Sequence, residues 1–489
     1  MRDFQIYLDK IGEIGYVAQN IHSLVYVTGL PGAHSNEVVV FENNCLGMIL
    51  SMGENGLEVL VFGNTEIKVG CKVVRTNERV EIGVGNSLLG RMIDPMGVPL
   101  DGKGEIKDLK SSCIDIYPPK IFERKVIEKP LLTGVALVDL MSPLGKGQRE
   151  LIIGDRKTGK TEFLLQTVSV QAGLGTVCIY AVIGQKQIDI GKLYEYLLKD
   201  GTIQNSIIVA SSSSDSPGLI FLTPYSAMTI AEYFKERGMD VLLILDDMTS
   251  HARFYRQISL LAKRFPGRNS YPGDIFYIHA KLIERAGNFK KGSISCLPVA
   301  ESIMGDLSGY IQTNLMSMTD GHIFFDIDLF SQGKRPAINP FLSVTRIGHQ
   351  TQTTLQKDVS RELSFFMVNY DHMKQFMHFG AEVGATTRSV LSLGAKLDAF
   401  FEQSGNKRIA LNISILILGG LWAGIWSEEK EAQYKMDIEQ LVLSYSTDAG
   451  YKNEVDQFIK SYDSFSDLIT HLRRDNHLLV SNFAKRIKT

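Results

Sequence analysis

Cysteine is scarce in this chain and never clustered. Its five cysteines (Cys45, Cys71, Cys113, Cys178 and Cys296) stand singly across 489 residues. None has a neighbour at metal-ligand spacing, and an odd, dispersed set excludes a disulfide framework and points to a reducing compartment. Excess charge is missing too: 52 Lys and Arg against 54 Asp and Glu leave a net charge of −2. No global field draws the chain to nucleic acid or acidic lipid, so no nucleic-acid partner is expected. The N-terminus, Met1-Arg2-Asp3-Phe4-Gln5, has neither an apolar core nor Arg/Ser enrichment and reads as neither signal nor transit peptide. One uncharged stretch, residues 409–426, just reaches the length of a membrane span. Asn412, Ser414, Gly419, Gly420 and Gly424 dilute it, and it reads as buried core. No internal repeat and no low-complexity tract is present.

What remains is ordinary globular composition, 44% hydrophobic and 22% charged, at a length suited to two to four domains. Residues 1–22 are mixed and poorly periodic, and read as a short N-terminal segment. Residues 23–82 carry short β-like runs (37–41, 57–62, 72–75) broken by Gly/Asn turns at 29–32, 54–56 and 63–64. Such spacing predicts a small β-barrel. Residues 88–104 are rich in Gly, Pro and Asp and read as connecting loops. Across 83–355, apolar runs at 151–153, 177–183, 206–210, 241–245 and 322–326 alternate with helical patterns such as 192–199 and 227–237. Alternation of this kind predicts a mostly parallel sheet covered by helices, with ligands at the carboxyl ends of its strands. Residues 356–489 are helical in period, over 355–379, 386–403 and 432–445. The predicted fold is multidomain: an N-terminal small β-barrel, a central α/β P-loop (RecA-like) nucleotide-binding domain and a C-terminal helical domain.

The strongest motif is Gly154-Asp155-Arg156-Lys157-Thr158-Gly159-Lys160-Thr161, which follows the apolar run 151–153 and opens a helical pattern. Its spacing is G-x-x-x-x-G-K-[ST]. Backbone N–H groups in such a loop converge on one point, and the following helix adds its positive end. Lys160 is expected to reach the β- and γ-phosphates and Thr161 to hold Mg²⁺. The apolar run 241–245 ends in Asp246-Asp247 and fits the strand that sets a carboxylate beside that Mg²⁺, through water at Asp246. Asp247 reads equally as a helix cap or a solvated carboxylate. ATP or ADP with Mg²⁺ is the expected ligand. Lys157 reads as a solvated side chain on the outer face of the loop.

Hydrolysis requires a group that orients or deprotonates water. The strand end Ile183-Gly184-Gln185-Lys186 offers Gln185, whose neutral amide cannot take a proton at neutral pH. Arg346, in Ser343-Val344-Thr345-Arg346-Ile347-Gly348, reads by itself as a member of a surface ion pair.

Several segments together carry a specific resemblance: Leu88-Leu89-Gly90-Arg91 with Asp101-Gly102-Lys103-Gly104, residues 147–156 (GQRELIIGDR), Tyr255-Arg256-Gln257, Pro266-Gly267-Arg268 with Tyr271-Pro272-Gly273-Asp274, Thr319-Asp320-Gly321 and Arg335-Pro336-Ala337-Ile338-Asn339. Over about residues 23–400 the chain resembles the α-type subunits of F-type rotary ATPases. Gly154-Asp155-Arg156 and Gly184-Gln185-Lys186 mark it as α-like rather than β-like. The resemblance implies an alternating ring of three α-type and three catalytic β-type subunits around a γ-type shaft. It implies a nucleotide site in this chain that binds but does not turn over. It assigns Arg346 as an arginine finger acting in the neighbouring β-type site, and Phe330, Arg335, Pro336 and Gln403 to the adenine pocket. A stator and membrane ring are further partners it brings in. The implied location is cytoplasmic, on the inner face of the bacterial cell membrane, with an organelle-encoded equivalent left open.

Departures from the family pattern are Lys157 for Gln, Ile303 and Met304 for smaller or more polar residues, Asn269 for an acid, and Gly405 for a second Gln of the adenine pocket. The resemblance fades beyond about 404, and only about 22 residues precede the barrel, where the family has an added segment. These features motivate one alternative, an F-like motor without the usual stator that drives motility or translocation. Two others are a catalytic homo-hexameric secretion ATPase, which Gln185 opposes, and a Rho-type translocase, which the near-neutral charge opposes.

Overall fold

The computed structural model describes residues 3–53, 56–63, 65–378, 384–403, 405, 407–427, 429 and 431–484. Glu54, Asn55, Asn64 and Phe379, which fall in the turns and the helix read from sequence, lie outside the described residues. The chain divides into two compact units. One holds Met1–Val126, Gly147–Ile153 and Ala172–Asp320, the other Ile127–Lys146, Gly154–Gln171 and Gly321–Thr489.

The first unit opens with a closed barrel of six strands: β1 (Ile14–Ile21), β2 (Leu24–Thr28), β3 (Glu37–Phe41), β4 (Leu46–Gly53), β5 (Gly56–Val61) and β6 (Lys72–Arg79). Their order is β1-β2-β5-β4-β3-β6, closed by antiparallel β1–β6 pairing. Val17, Val25, Val27, Val39, Phe41, Ile49, Val59, Val61 and Val73 fill the interior from alternate positions.

Residues 1–22 are not a plain lead-in. The helix Phe4–Ile11, capped by Asp3 and ended by Gly12 at φ +75°, lays Tyr7 against Val40 and Val74. β1 follows it, so the barrel begins at Ile14 rather than at 23. Eight helical residues are too few to show a period, and a register shift between Val17 and Gln19 breaks the alternation of β1.

The first unit also holds a parallel sheet, with helices such as Pro217–Lys235 and Met248–Leu261 between its strands in the chain. Its strand order is Leu151–Gly154, Gly292–Glu301, Asp240–Asp246, Val177–Gln185, Ser206–Ser212 and Met92–Ile93. Val177–Gln185, Asp240–Asp246 and Ser206–Ser212 are almost wholly buried, as strands covered on both faces require. The central strand Gly292–Glu301 escapes a reading by apolar runs because it holds Ser293, Ser295 and Pro298. Its serines are employed: Ser293 Oγ donates to Asp240 at 2.7 Å, and Ser295 Oγ accepts from Gly147 N at 2.8 Å. Met92–Ile93 adds an edge strand where loops were expected.

The second unit carries the P-loop, the helix Lys160–Gly173 that follows it, and the C-terminal helices. The apolar stretch 409–426 supplies the helix Leu411–Ala423, buried at every position from Ile413 to Leu421. Gly419 and Gly420 let neighbours approach: a Cβ at either would lie 2.7 Å from Leu472 or Leu479. Asn412 is satisfied by Asp456 at 2.7 Å. The stretch is core, as its polar and glycine content implied, and among the described residues no helix is long and apolar enough to cross a membrane.

Candidate functional site

In the second unit, Gly154 starts the P-loop under steric constraint. A Cβ there would lie 2.4 Å from the Phe325 carbonyl oxygen. Lys157 at φ +63° and Gly159 at φ +96° turn the loop, while the buried Thr158 hydroxyl donates to Asp155 O at 2.8 Å. These left-handed positions make the concave backbone that cradles an anion. Lys160 Nζ donates to Gly154 O at 2.7 Å and Asp155 O at 2.6 Å, so the ammonium bridges the loop on itself. Arg156 and Lys157 are exposed, and Thr161 stands exposed on the first turn of the helix. Phe163 packs on Phe325 with ring centroids 5.7 Å apart, anchoring the helix below its charged end.

The residues expected on the base side share this unit. Arg335 lies flat over the Phe330 ring, 3.5 Å from its centroid, and its Nη1 donates to Phe330 O and Lys334 O. Gln403 is buried. Its Oε1 accepts from Ala136 N at 2.7 Å, and its Nε2 donates to Gly134 O at 3.0 Å and Lys407 O at 3.1 Å. Pro336 follows Arg335 and lines a cavity of about 460 Å³ with Tyr370, Lys374 and Asp398.

Arg346 is exposed at the end of the short strand Val344–Thr345. The backbone on both sides of it is pinned. Thr345 Oγ1 donates to Pro143 O at 3.0 Å and accepts from Gly348 N at 3.1 Å. Gly348 sits so close that a Cβ would lie 1.6 Å from the Pro143 oxygen. Arg346 has no carboxylate partner among the described residues; it faces His322, whose pKa it helps to lower after burial.

In the first unit, Asp246 and Gln185 end adjacent parallel strands, in a register that pairs Val182 with Asp246. The Tyr180 hydroxyl donates to Asp246 Oδ2 at 2.8 Å, and Gln185 Nε2 donates to Asp246 O at 3.3 Å. Burial, and then Asp246, push the Tyr180 phenol well above its ordinary value, so it stays a donor. Asp247 is a cap: its carboxylate accepts from Ser250 N at 2.5 Å and Ser250 Oγ at 3.2 Å. Burial, with Asp246 and Glu301 nearby, pushes Asp247 up to about 7.

The family model "ATP synthase alpha/beta family, nucleotide-binding domain" matches residues 134–345, and "ATP synthase alpha/beta chain, C terminal domain" matches residues 352–470. ATP synthase subunit alpha of Neorickettsia sennetsu is 40% identical over 429 residues, covering 85% of this chain and 84% of the relative. Subunit alpha of Dictyoglomus turgidum is 40% identical over 403 residues, covering 81% and 79%. That of Acetivibrio thermocellus is 39% identical over 423 residues, covering 84% of each. The chain belongs to the ATP synthase alpha subunit family.

The family likeness does not stop near 404; the helical-domain match runs on to residue 470. Several family segments are also structural clamps. Arg91 Nε donates to Asp101 at 2.7 Å, and the Tyr255 hydroxyl donates to Asp274 at 2.7 Å. Arg149 grips Asp320 through Nη2 at 2.9 Å and Nε at 3.2 Å, and pairs with Glu284 through Nη1. Each clamp joins segments separated in the chain and holds a loop beside the sheet. Four functional positions were not read from sequence: Tyr180, which orients Asp246, Glu162, which holds the loop at Gly405, and Thr345 with Gly348, which pin the Arg346 loop. A buried Tyr in a strand of apolar residues was the one available signal, since a buried phenol needs a partner.

Proposed function

We propose that this chain is the non-catalytic, nucleotide-binding subunit of an alternating ring of α-type and β-type subunits around a γ-type shaft. In this reading it retains ATP or ADP with Mg²⁺ and completes the neighbouring β-type site with Arg346. The observation that carries it is the pinned and exposed state of Arg346, which has no carboxylate partner among the described residues. A planar guanidinium held on fixed backbone at a surface is suited to act on a charge supplied by another subunit. Stabilising charge on the transferred γ-phosphoryl is worth roughly 10³–10⁵ in rate for such fingers.

Gln185 supports the silent character of the chain's own site, since its amide can hold a water but cannot deprotonate it. The exposed Thr161 hydroxyl is a hard oxygen donor of the kind Mg²⁺ takes. The complex would lie peripherally on the inner face of the cell membrane.

Turnover by the purified chain alone, with its bound nucleotide identified after denaturation, tests this reading. Retained ATP or ADP without turnover is expected. Turnover abolished by Lys160→Ala would make the site catalytic and bring the homo-hexameric reading forward.

A further inference from the structure

One cavity of the first unit has no part in nucleotide binding. It measures about 220 Å³ and lies between β4 of the barrel, which supplies Met48 and Leu50, and the helices Pro217–Lys235, Met248–Leu261 and Ile275–Ile283. Each helix brings an aromatic side chain to it: Phe221 and Tyr225 from the first, Tyr255 from the second, Tyr277 from the third. The Phe221 ring lies 5.4 Å from Tyr225 and 5.5 Å from Tyr255, centroid to centroid, and stacks on the latter. The Phe221 carbonyl accepts from His251 Nε2 at 3.1 Å, which fixes the backbone beneath the ring. Rings held in this way present faces and edges suited to another ring. An apolar cavity of about 150 Å³ holds benzene. A volume of about 220 Å³ therefore has room for one ring with a short arm.

The polar groups of the cavity say what that arm carries. The Tyr255 hydroxyl is spent on Asp274 at 2.7 Å. Tyr225 is only 8% exposed, yet its hydroxyl has no hydrogen-bond partner among the described residues. Burial, and then the charge of Asp115, push its phenol above its ordinary value, so it stands as a donor. A buried donor without a partner is costly, and an acceptor brought by a ligand removes that cost. Three cations, Arg79, Arg264 and Lys281, line the cavity against one carboxylate, Asp115. Lys281 Nζ neutralises Asp115 at 2.5 Å. Arg264 meets Glu58 only at 3.7 Å. Arg79 is exposed, and its guanidinium has no ion-pair or hydrogen-bond partner among the described residues. The local field favours an anion, and a guanidinium fork matches a carboxylate.

We propose that this cavity binds a small aromatic carboxylate, with its ring against Phe221 and Tyr255 and its carboxylate taken by the Tyr225 hydroxyl and Arg79.

Isothermal titration of the full chain with phenylacetate, and with phenylacetamide as its neutral isostere, tests this. Phenylacetate is expected to bind with a Kd of about 1 mM or tighter, and the amide at least about tenfold more weakly. Arg79→Ala changes an exposed side chain and is expected to bring the two ligands within about threefold of each other. Tyr225→Phe is expected to weaken phenylacetate about tenfold or more, as the loss of a hydrogen bond to a charged group would. Saturating MgATP is expected to leave the affinity unchanged, which separates this cavity from the P-loop. No binding of phenylacetate at millimolar concentration, equal binding of acid and amide, a preference that survives Arg79→Ala, or competition by MgATP would each overturn the inference.

Discussion

Tyr180 and Asp246 sit on neighbouring strands, and the phenol donates a 2.8 Å hydrogen bond to Oδ2 of the carboxylate. The bond fixes the orientation of the Asp246 carboxylate at the end of its strand. Tyr180→Phe removes the donor and little volume. Nucleotide affinity measured with Mg²⁺ is expected to fall about ten- to hundredfold, roughly the worth of one hydrogen bond to a charged group, with affinity in EDTA unchanged. An equal loss in both conditions would make the bond structural only.

Arg149 binds Asp320 through two nitrogens and Glu284 through a third, in a partly buried setting. Removing it strands Asp320, while Glu284 keeps Arg124 at 3.1 Å. Arg149→Ala is expected to cost about 3 kcal/mol in a denaturant-unfolding midpoint, and Arg149→Lys about half as much, because an ammonium cannot reproduce the fork.

His251 and His279 form a buried pair, Nδ1 to Nε2 at 3.0 Å. His251 Nε2 faces the Phe221 carbonyl at 3.1 Å, which can only accept, so His251 donates there and His279 donates to His251. His279 Nδ1 is then an unprotonated buried nitrogen with no partner among the described residues. Burial holds His251 down at about 4 and His279 well below its ordinary value, with His251 adding to the latter shift. Both folded-state values lie under the unfolded value of 6.5, so the unfolded chain takes up protons first. The pair's contribution to stability is full above about 6.5 and is lost as pH falls toward 4. Asp247 acts with the opposite sign: raised to about 7, it favours the folded state at low pH and loses that contribution as pH climbs from the ordinary carboxylate value of 3.8. Comparison with His279→Asn isolates the pair. The variant's unfolding free energy between pH 6 and 5 is expected to fall less steeply than that of the unaltered chain, by up to about 1.4 kcal/mol per pH unit.

Gly348 leaves no room for a side chain against Pro143. Gly348→Ala must shift the backbone that carries Arg346. Ring turnover is expected to drop at least tenfold while this chain's own nucleotide affinity, measured by titration, stays within about twofold.

Much of the fold was legible because its signals are local. The P-loop is eight contiguous residues, and the strand before Asp246 is an unbroken apolar run. The strand Gly292–Glu301 was not legible, since its serines pair with Asp240 and Gly147, partners distant in sequence. β1 and the helix Phe4–Ile11 were hidden by brevity and a bulge. At the site, Lys160 and Asp246 announce themselves by type and spacing. Arg346 does not: nothing in an Arg after a short strand speaks of catalysis, and its constraint comes from Pro143, about two hundred residues upstream. Gln403 is a base contact by resemblance alone, and its amide bonds to Gly134, Ala136 and Lys407 are partners that only coordinates reveal.

The central claim is that Arg346 works in a neighbouring subunit. Steady-state ATP turnover of the ring assembled with its β-type partner, comparing the unaltered chain with Arg346→Ala and Arg346→Lys, tests it most directly. The account predicts a fall of about 10³-fold or more for Ala, little rescue by Lys, and unchanged nucleotide retention by this chain. Turnover that survives Arg346→Ala within a few-fold would contradict it.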